Sequence, residues 1–349
     1  MNKLVLLIAA FIGGYLFNFF NIPAGWLLGA MLVGAFYRLF IGDVSYSPML
    51  FDLALAVIGI SIGLTIKIIM FKQVASFLLP LAVSMFTLLA ASWLLGKLLE
   101  RKSSLDPKTA LFCCIPAGAS VMMALSREYK ANLSMVAAFQ TVRIMLLVST
   151  IPITAGFMSS FIETDEVQKS SIGASVGVGL PSSWLGFVLY AFLIGVTLFI
   201  AGKWKIPIAP FLYAIILGFL FNTFIHALPS MPNLLVGGGM AMLGVIIGLR
   251  FDRESVAEFK SIGWTSLGVL MAFFILTFLS TFVFYLLTPL DFITSLLAVV
   301  PAGAPQMASV ASLLHLDASI VAAMQVIRLL AIVVLIPLII PFLVKTEKT

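Results

Sequence analysis

Charge is scarce in this 349-residue chain: 10% of its residues are Asp, Glu, Lys or Arg, while 62% are apolar. A soluble domain of this length could not cover its surface with so few ionised side chains. Histidine is nearly absent. Only His226 and His315 occur, and both fall at ends of apolar stretches. That speaks against a copper or zinc centre built on imidazole. The cysteines, Cys113 and Cys114, are adjacent. Such a pair seldom forms a structural disulfide, and we read both as small buried apolar residues. No Asp or Glu lies deep in an apolar run, since Asp52, Asp291 and Asp317 all sit near run ends. An exchanger coupled to Na⁺ or H⁺ would need a buried carboxylate at its ion site, so that class is disfavoured. Phosphate-binding loops, zinc-protease signatures and serine-hydrolase elbows are missing as well. No acid, base, nucleophile or metal cluster can be named, so neither an enzyme nor a cofactor is expected. The net charge of +6 comes from basic residues scattered at run ends. They form no compact basic module, which argues against nucleic-acid binding.

Long apolar runs are what the chain does have, and its mean hydropathy is +1.19. The runs fall near 3–20, 23–41, 49–71, 74–99, 109–126 and 133–158, then near 183–202, 206–225, 233–250, 261–288, 292–314 and 318–343. Most are about 20 residues long, as a bilayer-crossing helix requires. The first has no small-residue cleavage site and another follows at once, so it reads as a retained span. Residues 159–182 form a hydrophilic linker carrying Glu163, Asp165 and Glu166. The organisation is therefore repeat 1 at 1–158, a linker at 159–182 and repeat 2 at 183–349.

The word repeat rests on residues 116–152 and 301–337, which are identical at 14 of 37 positions at an offset of 185. Pro116, Gly118, Met122, Ser134, Val136, Gln140, Arg143 and Pro152 recur as Pro301, Gly303, Met307, Ser319, Val321, Gln325, Arg328 and Pro337. Upstream, Pro23, Ala30 and Gly34 match Pro207, Ala214 and Gly218, and Gly59 and Gly63 match Gly244 and Gly248. Membrane transporters commonly have this design. The fifth run of each half is interrupted by Pro-Ala-Gly-Ala, at Pro116 to Ala119 and Pro301 to Ala304. Proline and glycine unwind a helix there, which lipid tolerates only where the break faces protein or water.

Whether these broken elements cross the bilayer or re-enter decides the topology. With a cytoplasmic N-terminus and two re-entrant elements, 15 Lys and Arg lie inside and 3 outside, excluding Arg143 and Arg328 within helices. With two full crossings the count is 9 against 9. The positive-inside rule favours the first arrangement. The expected fold is thus an all-α integral membrane protein of two inverted repeats. It has about 10 transmembrane helices plus two broken or re-entrant elements, with both termini inside and the linker outside.

Arg143 and Arg328 lie mid-run, where a charge costs a few kcal/mol. One reading aims both guanidiniums into a shared polar cavity that binds an anion, since the planar fork fits carboxylate or phosphate. The other has each arginine cap free carbonyls of its neighbouring broken element. Gln140 and Gln325, three residues earlier on the same helical face, either extend the polar site or bond helix to helix. The breaks, with Pro116, Gly118 and Ser120 in one copy and Pro301, Gly303 and Gln306 in the other, would offer helix N-termini to an anion. Alternatively they only permit tight packing. The glycines of GISIGLTI and VGGGMAMLGVIIGL read as close helix contacts.

IPAGWLLGAMLVGAF, the IPAGAS and VPAGAP breaks, and VAAFQTVR with VAAMQVIR resemble the bacterial AbrB-duplication family of multi-pass membrane proteins. The resemblance covers both halves. Members carry labels such as AbrB family regulator or ammonia monooxygenase, and the residues above fit neither an oxygenase nor a DNA-binding protein. Two functions are carried forward. The first is a secondary transporter of a small anionic or polar solute in the bacterial inner membrane. The second is a membrane sensor that influences gene expression indirectly through a protein partner. The expected partners are the lipid bilayer and a small solute, with a homo-oligomer left open.

Overall fold

Apolar runs of this kind leave the backbone no partner but itself, so helix is the expected local structure. The computed structural model describes residues 3–68, 70–116, 119–162, 184–204, 209–225, 228–251, 253–261 and 263–345, and these contain helices and no strand. Most of the 159–182 linker, Gly118, Pro207 and His226 lie outside the described residues. The first seven helices are α1 (Lys3–Phe19), α2 (Gly25–Phe40), α3 (Pro48–Gly63), α4 (Met70–Lys102), α5 (Pro107–Cys114), α6 (Ala119–Glu128) and α7 (Leu133–Ile162). Then come α8 (Trp184–Lys203) and α9 (Ala209–Leu220), which continues into a π-helical turn at Phe221–Ile225. The rest are α10 (Asn233–Gly248), α11 (Arg253–Ser261), α12 (Trp264–Leu287), α13 (Phe292–Val299), α14 (Ala304–Leu313) and α15 (Ala318–Lys345).

Four stretches within α4, α7, α8 and α12 are long and apolar enough to cross a membrane. Six further apolar helices among the described residues are shorter. At 1.5 Å per residue the 16-residue helices α2, α3 and α10 are about 24 Å long, under the ~30 Å hydrocarbon thickness. Large apolar side chains stay exposed, among them Leu79, Phe199, Ile275 and Leu286. Such faces suit lipid and not water.

The chain forms two compact units, each drawn from both halves of the sequence. The first unit holds residues 1–75, 149–250 and 304–322. Within it α2 packs on α10, and α3 packs on α9. Glycines set these contacts. A Cβ added to Gly63 would meet the Ile215 carbonyl oxygen at 2.5 Å, and one on Gly248 would meet that of Met31 at 2.1 Å. On Gly59 it would meet the Phe211 oxygen at 2.7 Å, and on Gly244 the Leu27 oxygen at 2.3 Å. Close approach replaces the hydrophobic drive that lipid does not supply, as expected from GISIGLTI and VGGGMAMLGVIIGL.

The second unit holds residues 76–148, 251–303 and 323–349. Here α12 packs on α13, and the Ser280 hydroxyl donates to the Ser84 carbonyl at 2.8 Å. The first broken element is a helical hairpin. α5 and α6 pack on each other, the Phe112 and Tyr129 rings lie 5.9 Å apart, and the Asn132 N–H donates to Thr109 Oγ1 at 2.8 Å. The element therefore begins and ends at the same place. Two features depart from the apolar pattern. α4 runs past 74–99 at both ends, since Lys72, Gln73 and Glu100 continue a helix once it is nucleated. α11 forms in a polar segment that hydropathy left as a loop.

Candidate functional site

Asp106 starts α5 by accepting from the Thr109 N–H at 3.1 Å, and Asp291 starts α13 by accepting from the Thr294 N–H at 2.8 Å. These are side-chain caps of first-turn donors. Each short helix then ends at the break, leaving its last carbonyls without intrahelical partners. The following long helix supplies those partners. Gln140 Nε2 donates to the carbonyls of Phe112 and Ile115 at 3.0 and 3.1 Å. Arg143 Nη1 donates to Ile115 at 3.0 Å, and its Nη2 donates to Gln140 Oε1. The second copy repeats the pattern 185 residues on. Gln325 Nε2 donates to Leu297 and Val300 at 2.6 and 2.8 Å. Arg328 Nη1 donates to Val299 and Val300, and Nη2 donates to Gln325 Oε1 at 2.7 Å.

Of the two roles left open for the arginines, carbonyl capping is thus the one visible in the hydrogen bonds. It also accounts for how buried charges are tolerated. Gln140 and Gln325 are fully buried, and Arg143 and Arg328 retain 2% and 6% of their surface. A helix C-terminus carries partial negative charge, and here it faces a guanidinium. Phe273 adds its ring face 5.1 Å from the Arg143 guanidinium carbon. α5, α7, α13, α14 and α15 contain no Asp or Glu.

All four of these side chains belong to the second unit. Buried Arg328 Nε and Ser295 Oγ have no hydrogen-bond partner among the described residues. Around the breaks, Pro116 and Pro301 are buried, and Gly303 adopts φ 104°, which excludes most other residues. The side chain of Ser120 lies outside the described residues. Gln306 is nine-tenths buried on α14, its Oε1 has no hydrogen-bond partner among the described residues, and it belongs to the first unit. The structure therefore brings Gln140, Arg143, Gln325 and Arg328 into one unit and leaves Gln306 outside that group. The carbonyl acceptors are those of the capping reading, while the sequence reading contains no role for the Thr109 hydroxyl. The paired Asp-x-x-Thr at 106–109 and 291–294 was the available signal for where each short helix starts. Among the described residues no group of three or more His, Cys, Asp or Glu is placed to hold a metal.

A family model described as Transition state regulatory protein AbrB matches residues 26–344. The chain belongs to the AbrB family. It is 25% identical to "Uncharacterized protein YhjN" of Bacillus subtilis (strain 168), over 93% of this chain and 88% of that protein. It is 24% identical to "Putative regulator AbrB" of Escherichia coli (strain K12), over 93% of this chain and 91% of that protein. AbrB-family membership thus rests on nearly the whole chain, both broken elements included.

Proposed function

We propose that the chain is a multi-pass protein of the bacterial inner membrane that transports a small anionic or polar solute. The observation that carries the reading is the pair of buried arginines in one unit, each beside a broken element. No carboxylate lies within the helices that bear them. A bound anion would offset their positive charge where low dielectric makes it costly. Arg328 Nε is a buried donor available to such a ligand.

The architecture behind this reading is two inverted repeats with ten spans and two re-entrant elements. Reciprocal packing supports it. At an offset of 184–185, the Gly59–Phe211 approach maps onto Leu27–Gly244, and Gly63–Ile215 maps onto Met31–Gly248. A twofold relation generates such exchanged pairs. Sidedness is supported independently. Asn222, at the end of α9, donates to the Leu64 carbonyl at the end of α3 at 2.9 Å. Thr265, opening α12, donates to the Lys102 carbonyl closing α4 at 3.4 Å. Re-entrant elements put each pair on one side of the bilayer, and full crossings would put each on opposite sides. In this reading the six shorter apolar helices and the four long ones would be the ten spans.

Flux into proteoliposomes from a panel of small carboxylates, phosphate and sulfate tests the function. Arg143→Ala and Arg328→Ala are expected to lose flux of whichever solute the parent moves. Unchanged flux in both variants would remove the anion site. The name "Putative regulator AbrB" on one relative favours a second reading, a membrane sensor acting through a cytosolic partner. It predicts no flux across the panel and a stable complex on crosslinking in cells. Neither reading makes the chain an enzyme.

A further inference from the structure

The two broken elements share a sequence pattern but differ in attachment. α14 and the first residues of α15, together residues 304–322, belong to the first unit, and the chain on either side of them belongs to the second. Their counterparts at an offset of 185, residues 119–137, lie wholly in the second unit. The change of unit falls directly after Gly303, whose φ of 104° gives a non-helical joint.

Within the first unit, α14 packs on α3, and one polar contact fastens the two segments beyond that packing. Thr65, just past α3, donates its single hydroxyl proton to the Ile62 carbonyl at 2.7 Å. Its oxygen lies 2.8 Å from Ser319 Oγ, so the Ser319 hydroxyl must donate. Ser319 is held in place by Asp317, whose carboxylate accepts from the Ser319 and Ile320 N–H groups at 3.2 Å each. On the α3 side the neighbouring Leu64 carbonyl is occupied by Asn222. Both partners are therefore placed by contacts at their own helix ends, and the Ser319–Thr65 hydrogen bond joins two segments 254 residues apart in sequence.

We propose that Ser319 and Thr65 form a latch that holds residues 304–322 against the end of α3, and that its release exposes the α14 face carrying Gln306. The Thr65 counterpart is Arg250, so the duplicated element does not repeat this hydroxyl pair. A role for the latch in solute movement rests on the transporter reading. The test below does not, because it reads accessibility and not flux.

The experiment uses Gln306→Cys in full-length protein carrying Cys113→Ala and Cys114→Ala, in lipid nanodiscs open on both faces. The readout is the rate of modification by a charged, water-soluble thiosulfonate. Thr65→Val is expected to raise the rate about fivefold, the population change for one lost hydrogen bond of ~1 kcal/mol. Thr65→Ser, which keeps the hydroxyl, is expected to leave it within twofold of the parent. Two hydroxyl oxygens 2.8 Å apart also imply a Cβ separation near the range a disulfide spans. Oxidised Thr65→Cys/Ser319→Cys is therefore expected to slow modification below the parent, and reductant to restore it. Equal rates in parent and Thr65→Val would overturn the latch. So would an equal rise in Thr65→Ser, which would assign the effect to packing, or a formed crosslink that leaves the rate unchanged. Flux failing while these rates behave as expected would reject the transporter reading and leave the latch in place.

Discussion

Gln140 and Gln325 are the residues on which the broken elements depend most directly. Each amide uses both ends: the NH₂ group donates to two carbonyls of the short helix, and the oxygen accepts from an arginine. Gln140→Leu would leave the Phe112 carbonyl and one guanidinium edge short of partners, while the Ile115 carbonyl would keep only Arg143. At about 1–3 kcal/mol for each buried group left unsatisfied, the expected loss is roughly 2–4 kcal/mol, read as a fall in the thermal melting midpoint in detergent. Gln140→Glu is expected to lose a similar amount, because a carboxylate has no N–H to give the carbonyls. Asp317 makes a different residue-scale prediction. Burial raises its pKa above 3.8, against the lowering effect of the Ser319 and Ile320 N–H groups. A raised carboxyl pKa means the folded state binds more protons than the unfolded state between the two values. The Asp317 contribution is therefore fully present below the unfolded pKa and is lost as pH rises through the folded one. Asp317→Asn, which keeps the accepting oxygen, is expected to remove that decline. Melting curves from pH 3.5 to 7 compared between the two proteins check the sign.

At the scale of elements, α2, α3, α9 and α10 are held by backbone approaching backbone at glycine. Gly248→Ala and Gly63→Ala each force a methyl into a carbonyl oxygen of the facing helix, at 2.1 and 2.5 Å. Since backbone must move, the expected cost is about 1–3 kcal/mol or more for each. Gly268 in α12 is the control. A Cβ there meets nothing within 4 Å, so Gly268→Ala is expected to be neutral or to gain up to about 1 kcal/mol from helix propensity. Melting midpoints of the three variants in one lipid would separate the cases, and equal losses at all three positions would contradict the packing account. The broken elements obey a different rule. Their short helices are fixed at the start by Asp106 and Asp291 and at the end by Gln and Arg from the next helix. Neither fixing depends on apolar area, which is why a hydropathy profile shows only an interrupted run.

For the whole molecule, sidedness is the quantity to measure. Both termini are expected in the cytoplasm and residue 166 outside, from the 15-to-3 partition of Lys and Arg. Glu166→Cys in a background without Cys113 and Cys114 should react with an impermeant maleimide in intact cells. Reaction only in inverted vesicles would defeat the inverted arrangement. Much at this scale was legible from sequence alone. The membrane character follows from 62% apolar residues, because covering that surface with water is too costly. The positions of the breaks follow from Pro-Ala-Gly-Ala, because proline and glycine act locally. The equivalence of Arg143 with Arg328 follows from the 185-residue offset. What sequence could not decide was where the guanidiniums' protons go. Capping and ligand binding need the same residue types at the same depth, and only the tertiary structure shows the Nη groups on the carbonyls of residues 115, 299 and 300. The unequal attachment of the two duplicated elements was likewise invisible. Segments that share the break, the Gln and the Arg carry similar local preferences there, and long-range contacts such as Ser319 with Thr65 set one copy's attachment apart from the other's.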